Sequence, residues 1–440
     1  MLTIPETRPT IPSPRSIEEC GVRRSLLEDL ALKIIYFEGD LNLRELAEKM
    51  GLAFAVADEL FQRLRRARFV EVTGMDGHVH RVSTSAQGAA RAQELLAINH
   101  YAGAAPVAFE DYVRRVREQS VGRVDVRVED VQRAFAPLVL GDEMLRELGT
   151  AILSGTSIVL YGPTGTGKTA IAERIPHAYQ GSVWIPHAVA IDDQIITVFD
   201  PMVHRPLDEP AGTAGDRRWV RCERPWVVVG GELTIEMLDL QFNAVSGLYA
   251  APLQMKANNG VLVIDDFGRQ RVSPEALLNR WTVPLDRKID FLTLRGGKKF
   301  EMPFDSLVVF STNLEPAAVF TTATDRAAVI DDAFLRRIPN KIRIGYITRD
   351  QFHEIFRRVC VQFGVAYQAV VVEQLTDVIG DALNQPLRPC YARDIVQQVC
   401  WEARFEQREP TLDWPSVARA CRRYFLWPDA PEAGTRAAMS

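Results

Sequence analysis

The chain of 440 residues has no C-x-x-C pair, no long apolar run, no internal repeat and no excess of positive charge. Each absence removes a class of protein. The six cysteines stand apart at 20, 222, 360, 390, 400 and 421, with no histidine at ligand spacing beside them. Neither a zinc site nor a disulfide framework is therefore expected. A membrane helix needs roughly 20 consecutive apolar residues, and no stretch approaches that. A formal net charge of −5 gives no global attraction to nucleic acid or to an acidic membrane, so any such contact would be a local patch. The opening MLTIPETRPTIPSPR carries acidic and proline residues where a secretory leader needs a basic start and an apolar run. The composition, 47% hydrophobic and 25% charged, is ordinary globular composition. A soluble, cytoplasmic protein with reduced thiols and no membrane partner is the expectation.

What is present falls into segments. Pro5, Pro9, Pro12 and Pro14 make residues 1–16 a poor candidate for regular structure, and a disordered tail is expected there. RRSLLEDLALKIIY, LNLRELAEKMG and VADELFQRLRRARF then carry apolar residues at helical spacing, with Gly51 in a stop position. FVEVTGMDGHVHRV alternates in strand fashion about a Gly74–Gly77 turn. Three helices and a hairpin resemble a winged-helix domain, assigned with the helix after it to 17–100. Residues 101–128 read as a linker around Pro106 and one more helix, DYVRRVREQS. From 129 to 345 strands and helices alternate. SIVLY, VLVID and SLVVFSTN are apolar throughout, as strands of a parallel sheet covered on both faces are. Residues 346–428 return to helical patterns, and 429–440 read as a second disordered tail.

Five short stretches carry chemistry. YGPTGTGKTA, residues 161–170, has the spacing G-x-x-x-x-G-K-[ST] between an apolar strand and a helical segment, AIAERI. Gly162, Gly165 and Gly167 let backbone N–H groups turn inward on a polyphosphate, with Pro163, Thr164 and Thr166 completing the cradle. Lys168 reaches the β- and γ-phosphates, and the Thr169 hydroxyl holds Mg²⁺. In VLVIDDFG, Asp265 at the strand's end is placed to bind that metal and Asp266 to orient or deprotonate the attacking water. Two acids after a strand equally suit a helix N-cap. Asn313 ends FSTN, where an amide can hold water against the γ-phosphate, although Asn commonly ends strands. Arg336 and Arg337 in DDAFLRRIPNKI, and Arg393 in YARDIV, are either functional or ordinary surface charge.

In this order and spacing the five stretches resemble the AAA+ ATPase family over roughly residues 130–425. The resemblance implies an α/β fold: an AAA+ P-loop parallel-sheet core, a C-terminal helical lid and the N-terminal winged-helix-like domain. It also implies an ATP hydrolase that uses ATP and Mg²⁺. GPTGTGKT, residues 162–169, looks like Walker A, VLVIDD like Walker B and Asn313 like sensor 1. Arg337 or Arg336 falls where the family keeps the finger that reaches a neighbouring subunit's γ-phosphate, and Arg393 resembles sensor 2. A trans finger implies a homo-oligomer, with a hexamer as the expected ring. Asp266 stands where the family usually has Glu, so slow hydrolysis is a possible consequence.

APLQMKANNGVLVIDD, two strands in RRWVRCERPWVVVGGEL and a hairpin about Gly296–Gly297 resemble the MoxR-like and helix-2-insert branches. The expected role is remodelling of a protein client. The alternative is a DNA-directed ATPase or switch anchored by the winged helix, and a nucleotide-gated scaffold is a third reading. The start of the recognition helix carries Phe54, Val56, Ala57, Asp58 and Glu59, which offer guanine no donor, while Arg63, Arg65, Arg66 and Arg68 come late. Protein docking is therefore favoured over DNA.

Overall fold

A computed structural model describes residues 10–208, 215–314, 321–324, 327–330 and 336–425. The chain forms two compact units. One holds 1–125, 179–264 and 269–308, and the other holds 126–178, 265–268 and 309–440. The linear order of modules expected from the sequence is therefore not how the chain packs. The alternating strands of 129–345 are shared between the units, because contacts between distant segments, not sequence neighbours, build an α/β fold.

The first unit begins with the three expected helices, Arg24–Glu38, Leu43–Met50 and Phe54–Arg66. Asn42 caps the second, accepting from the amides of Arg44 and Glu45 while the Glu45 carboxylate takes the Asn42 N–H. Gly51 ends that helix at φ 65°, a left-handed conformation glycine adopts without penalty. The apolar faces meet in a core that includes Leu27, Leu30, Leu46, Leu60, Phe61 and Val82. The hairpin Val70–Asp76/Val79–Thr84 follows, joined on its second strand by the short strand Asp40–Asn42. Its turn is at Gly77, whereas Gly74 sits at a register shift within the first strand. Helix Ala86–Ile98 is capped by the Ser85 hydroxyl on the Gly88 amide.

Two expectations for this unit are corrected. Residues 10–16 do not behave as a tail: Ile11 is buried and its carbonyl accepts from the Asp216 amide at 2.8 Å. The remainder of that segment, and 429–440, lie outside the described residues. The expected linker near Pro106 contains a strand, Val107–Ala108, which pairs in parallel with Ala188–Ile191 at the edge of a five-stranded sheet. The other strands expected here are present. Trp219–Cys222 pairs with Val183–Pro186, and Trp226–Val229 runs parallel to Val261–Ile264. Ile289–Thr293 and Lys299–Pro303 form the hairpin about Gly296 and Gly297.

In the second unit, helices Val128–Phe135 and Asp142–Ser154 lead into strand Ile158–Tyr161. That strand pairs in parallel with Leu307–Thr312 on one side and Asn340–Arg343 on the other. Together with Trp226–Val229 and Val261–Ile264 these are five strands that pair in parallel, all rich in buried aliphatic residues, and the α/β class expected from the sequence is what the fold has. Four C-terminal helices, Arg349–Phe363, Ala369–Asp377, Pro389–Phe405 and Trp414–Tyr424, match the expected lid and close over Phe352, Phe356, Ile379, Val396, Val399 and Cys421.

Candidate functional site

Strand Ile158–Tyr161 delivers the chain into the glycine loop. Gly162 has φ 141°, Gly165 79° and Gly167 92°, so the three glycines take conformations that side-chain-bearing residues rarely adopt. Space enforces the same choice at two of them. A Cβ on Gly162 would lie 2.2 Å from the Ile344 carbonyl oxygen, and one on Gly165 would lie 2.7 Å from Cys390 Sγ. The Thr166 hydroxyl donates back to the Pro163 carbonyl at 2.9 Å and closes the loop on itself.

Lys168 lies under this loop. Its amine donates to the carbonyls of Gly162 at 3.0 Å and Pro163 at 2.8 Å. Burial pushes that amine below the usual lysine range, while the charges of Asp266 and Asp265 pull the other way. Among the described residues the ammonium thus rests on two carbonyl oxygens, with the charges of the two aspartates favouring its protonated form. One expectation is weakened here. The helix opened by the loop runs only from Lys168 to Ala172 and gives way to a 3₁₀ turn at Ile175–Ala178. So short a helix adds little dipole to the loop.

The Thr169 hydroxyl donates to the Asp265 carboxylate, 3.1 and 3.0 Å from its two oxygens. Hydroxyl and carboxylate oxygens side by side are the donor set a hard divalent cation takes, so the residues fit Mg²⁺. No cluster of three or more His, Cys, Asp or Glu able to hold a metal exists among the described residues.

Asp266 follows in a left-handed conformation, φ 49°, exposed, in the turn after the strand. The turn is fixed through the residue after it. Phe267 is buried against Phe310 with ring centroids 5.0 Å apart, and its amide donates to the Ser311 carbonyl at 2.7 Å. The Thr312 hydroxyl donates to the Phe267 carbonyl at 2.8 Å. Leu307–Thr312 thus anchors the acidic turn and is followed by Asn313, whose amide donates to the Thr164 hydroxyl at 3.3 Å. The dull alternative for the two acids, a helix cap, does not apply, because the next helix begins at Pro274 and is capped by Ser273.

The arginines are placed less decisively. Arg336 is exposed and Arg337 half-buried, just before the buried Ile338. Arg393 is exposed on helix Pro389–Phe405, one turn beyond Cys390. Cys390 and Arg388 lie beside the glycine loop, the latter with Cδ 3.5 Å from where a Cβ on Gly165 would stand. Reasoning from the sequence missed Arg388. The signal available was its place immediately before Pro389, the first residue of that helix.

A domain family described as a domain of unknown function (DUF8689) matches residues 348–423. No curated protein matches the chain. Among solved structures, the chain is similar to the RuvB Holliday junction branch migration motor of Thermotoga maritima, at 15% identity and a TM-score of 0.36, over 64% of this chain and 70% of that one. NtrX from Brucella abortus in complex with ATP is similar at 13% identity and a TM-score of 0.39, over 82% of this chain and 63% of that one. Domain III of the Thermotoga maritima replication initiation protein DnaA is similar at 10% identity and a TM-score of 0.38, over 67% of this chain and 97% of that one. All are distant likenesses, and the functional reading below rests on the site's own residues.

Proposed function

We propose that the chain is an AAA+ ATPase, nearest to the MoxR-like and helix-2-insert branches, which binds ATP with Mg²⁺ and hydrolyses it in a homo-oligomeric ring. One observation carries the reading. The cradle, the acid turn and the strand-end amide are joined by the Thr169–Asp265 and Asn313–Thr164 hydrogen bonds, across 96 and 149 positions of sequence. In this reading the loop amides and Lys168 take the phosphates, Thr169 and Asp265 hold the metal, and Asp266 and Asn313 direct a water at the γ-phosphate. The bound Mg²⁺ would neutralise charge that develops on the phosphate oxygens.

The work done with that energy is remodelling of a protein client, with the winged-helix-like module as a protein-docking element. Two features of helix Phe54–Arg66 support docking over DNA reading. Arg63 is ion-paired with Glu59 at 3.0 Å, and Phe54 at the helix start is 44% exposed. The DNA-directed switch stays the second reading, because Arg65 and Arg66 also lie in the last turn of that helix.

The test is a nucleotide titration with and without Mg²⁺, followed by turnover. Lys168→Ala should weaken ATP binding at least about tenfold, the effect of losing one charge-assisted hydrogen bond. Asp266→Asn should bind ATP as the unaltered chain does and fail to release phosphate. Nucleotide affinity that survives Lys168→Ala would remove the phosphate-loop assignment. Turnover stimulated by duplex DNA in a steeply salt-dependent way would reverse the ranking of partners.

A further inference from the structure

Arg388 occupies a position in the second unit that its sequence context did not single out. Its stem lies on the glycine loop at Gly165. Its guanidinium carbon sits 5.8 Å from the ring centroid of Tyr346 and 5.7 Å from that of Tyr391. The backbone explains the arrangement: the Ile347 amide donates to the Leu387 carbonyl at 3.3 Å, so the segments carrying Tyr346 and Arg388 run side by side. Tyr391 follows three residues later, in the first turn of the helix that Arg388 precedes, and its amide donates to the Arg388 carbonyl at 3.2 Å.

Two rings hold the cation's position without using up its donors. Aromatic faces attract a guanidinium electrostatically but take none of its N–H groups in the plane of the fork. Arg388 Nε is buried and has no hydrogen-bond partner among the described residues. A permanent cation thus keeps a buried N–H without an acceptor among the described residues, beside the glycine loop. The neighbouring Cys390 supplies no negative charge: burial raises its thiol above the usual range and keeps it neutral. Arg393 is exposed on the same helix.

We propose that Arg388, clamped between Tyr346 and Tyr391, is the lid arginine that binds the nucleotide's phosphates, the role that resemblance alone gave to Arg393. The proposal rests on the ATP reading of the site. It also assigns the clamp a purpose. Tyr346 is 47% exposed, and its ring keeps a long, flexible side chain ordered before nucleotide arrives.

The experiment is a titration of the full chain with ATP and with ADP, each with Mg²⁺, reading bound nucleotide directly. The unaltered chain is compared with Lys168→Ala, Arg388→Ala, Arg388→Lys, Tyr346→Ala and Arg393→Ala. Arg388→Ala should bind ATP at least about tenfold more weakly, as expected for one lost bond to a charged phosphate. Arg388→Lys, which keeps the charge and the stem but not the planar fork, should recover only part of that loss. Tyr346→Ala should show a smaller loss of the same sign, and Arg393→Ala a change below about threefold. Should Arg388→Ala fail to fold, Arg388→Lys alone decides, and its affinity must still fall. Arg388 variants that bind like the unaltered chain, while Lys168→Ala does not, overturn the Arg388 assignment and leave the site reading standing. An unaltered chain that binds neither nucleotide overturns the site reading and this proposal together.

Discussion

Gly162 shows how one residue's geometry fixes what the loop can do. Its φ of 141° excludes side chains on conformational grounds, and the Ile344 carbonyl excludes them on steric grounds. Ile344 is in turn tied to Tyr161 through its amide at 2.8 Å, so the obstructing carbonyl cannot move away without breaking the end of a parallel strand pair. Gly162→Ala should therefore reshape the loop and abolish measurable ATP binding, while far-ultraviolet circular dichroism stays unchanged. Retained affinity in a titration would show that the loop accommodates a methyl group and that its geometry is not the receptor. The individual site residues were legible to different degrees for a physical reason. Glycines, Lys168, Thr169 and the paired aspartates announce themselves because a phosphate cradle needs those residue types at fixed spacing. Arg388 does not, because what distinguishes it is a pair of tyrosines, one of them 42 positions away, which the fold alone brings to it.

Among the elements, helices with strong end signals were the most readable. Arg349–Phe363 begins at Thr348, whose hydroxyl accepts from the Gln351 amide at 3.2 Å while the Gln351 side chain accepts from the Thr348 amide at 3.0 Å, and it ends at Gly364 with φ 68°. Thr348→Ala should cost about 1 kcal/mol of local stability. Hydrogen exchange should then show the Gln351 amide exchanging about fivefold faster, with little change at Cys360 in the last turn. Equal acceleration along the whole helix would mean that the lid opens as one body and that the cap is not its weak point. The element least readable was the helix after the glycine loop. AIAERI is helical in pattern, yet Pro176 forces a break soon afterwards, and the turn at Glu173–Arg174 ends the regular hydrogen bonding. Gly74 was misplaced for a similar reason, since a glycine in an alternating pattern signals either a turn or an irregular strand pairing, and only the partner strand decides.

At the scale of the whole molecule, the proposed ring, with Arg337 as its trans-acting finger, predicts how mixtures behave. Lys168→Ala lacks the cradle's cation but keeps Arg337, and Arg337→Ala keeps the cradle but offers no finger. Each alone should be nearly inactive, since a finger contributes about 10³–10⁵ in rate in related phosphoryl-transfer systems. Mixed subunits that exchange should regain measurable turnover, because some interfaces then pair an intact cradle with an intact finger. A mixture that stays inactive despite proven exchange removes Arg337 from that role, and the same mixture made with Arg336→Ala then tests its neighbour.

The interleaving of the two units has a further consequence, in chain entropy. The acidic turn 265–268 belongs to the unit that holds the glycine loop, but both of its flanks, Tyr179–Ile264 and Arg269–Val308, belong to the other. While that other unit is folded, its flanks are ordered and the free chain around the turn is short. Were it to unfold, both flanks would become long flexible loops, and bringing the turn home would carry a closure penalty that grows with the logarithm of their length. On the proposed reading of the site, damage to the core around Leu60 and Phe61 would then surface as weakened metal-dependent binding although the residues of the site are untouched.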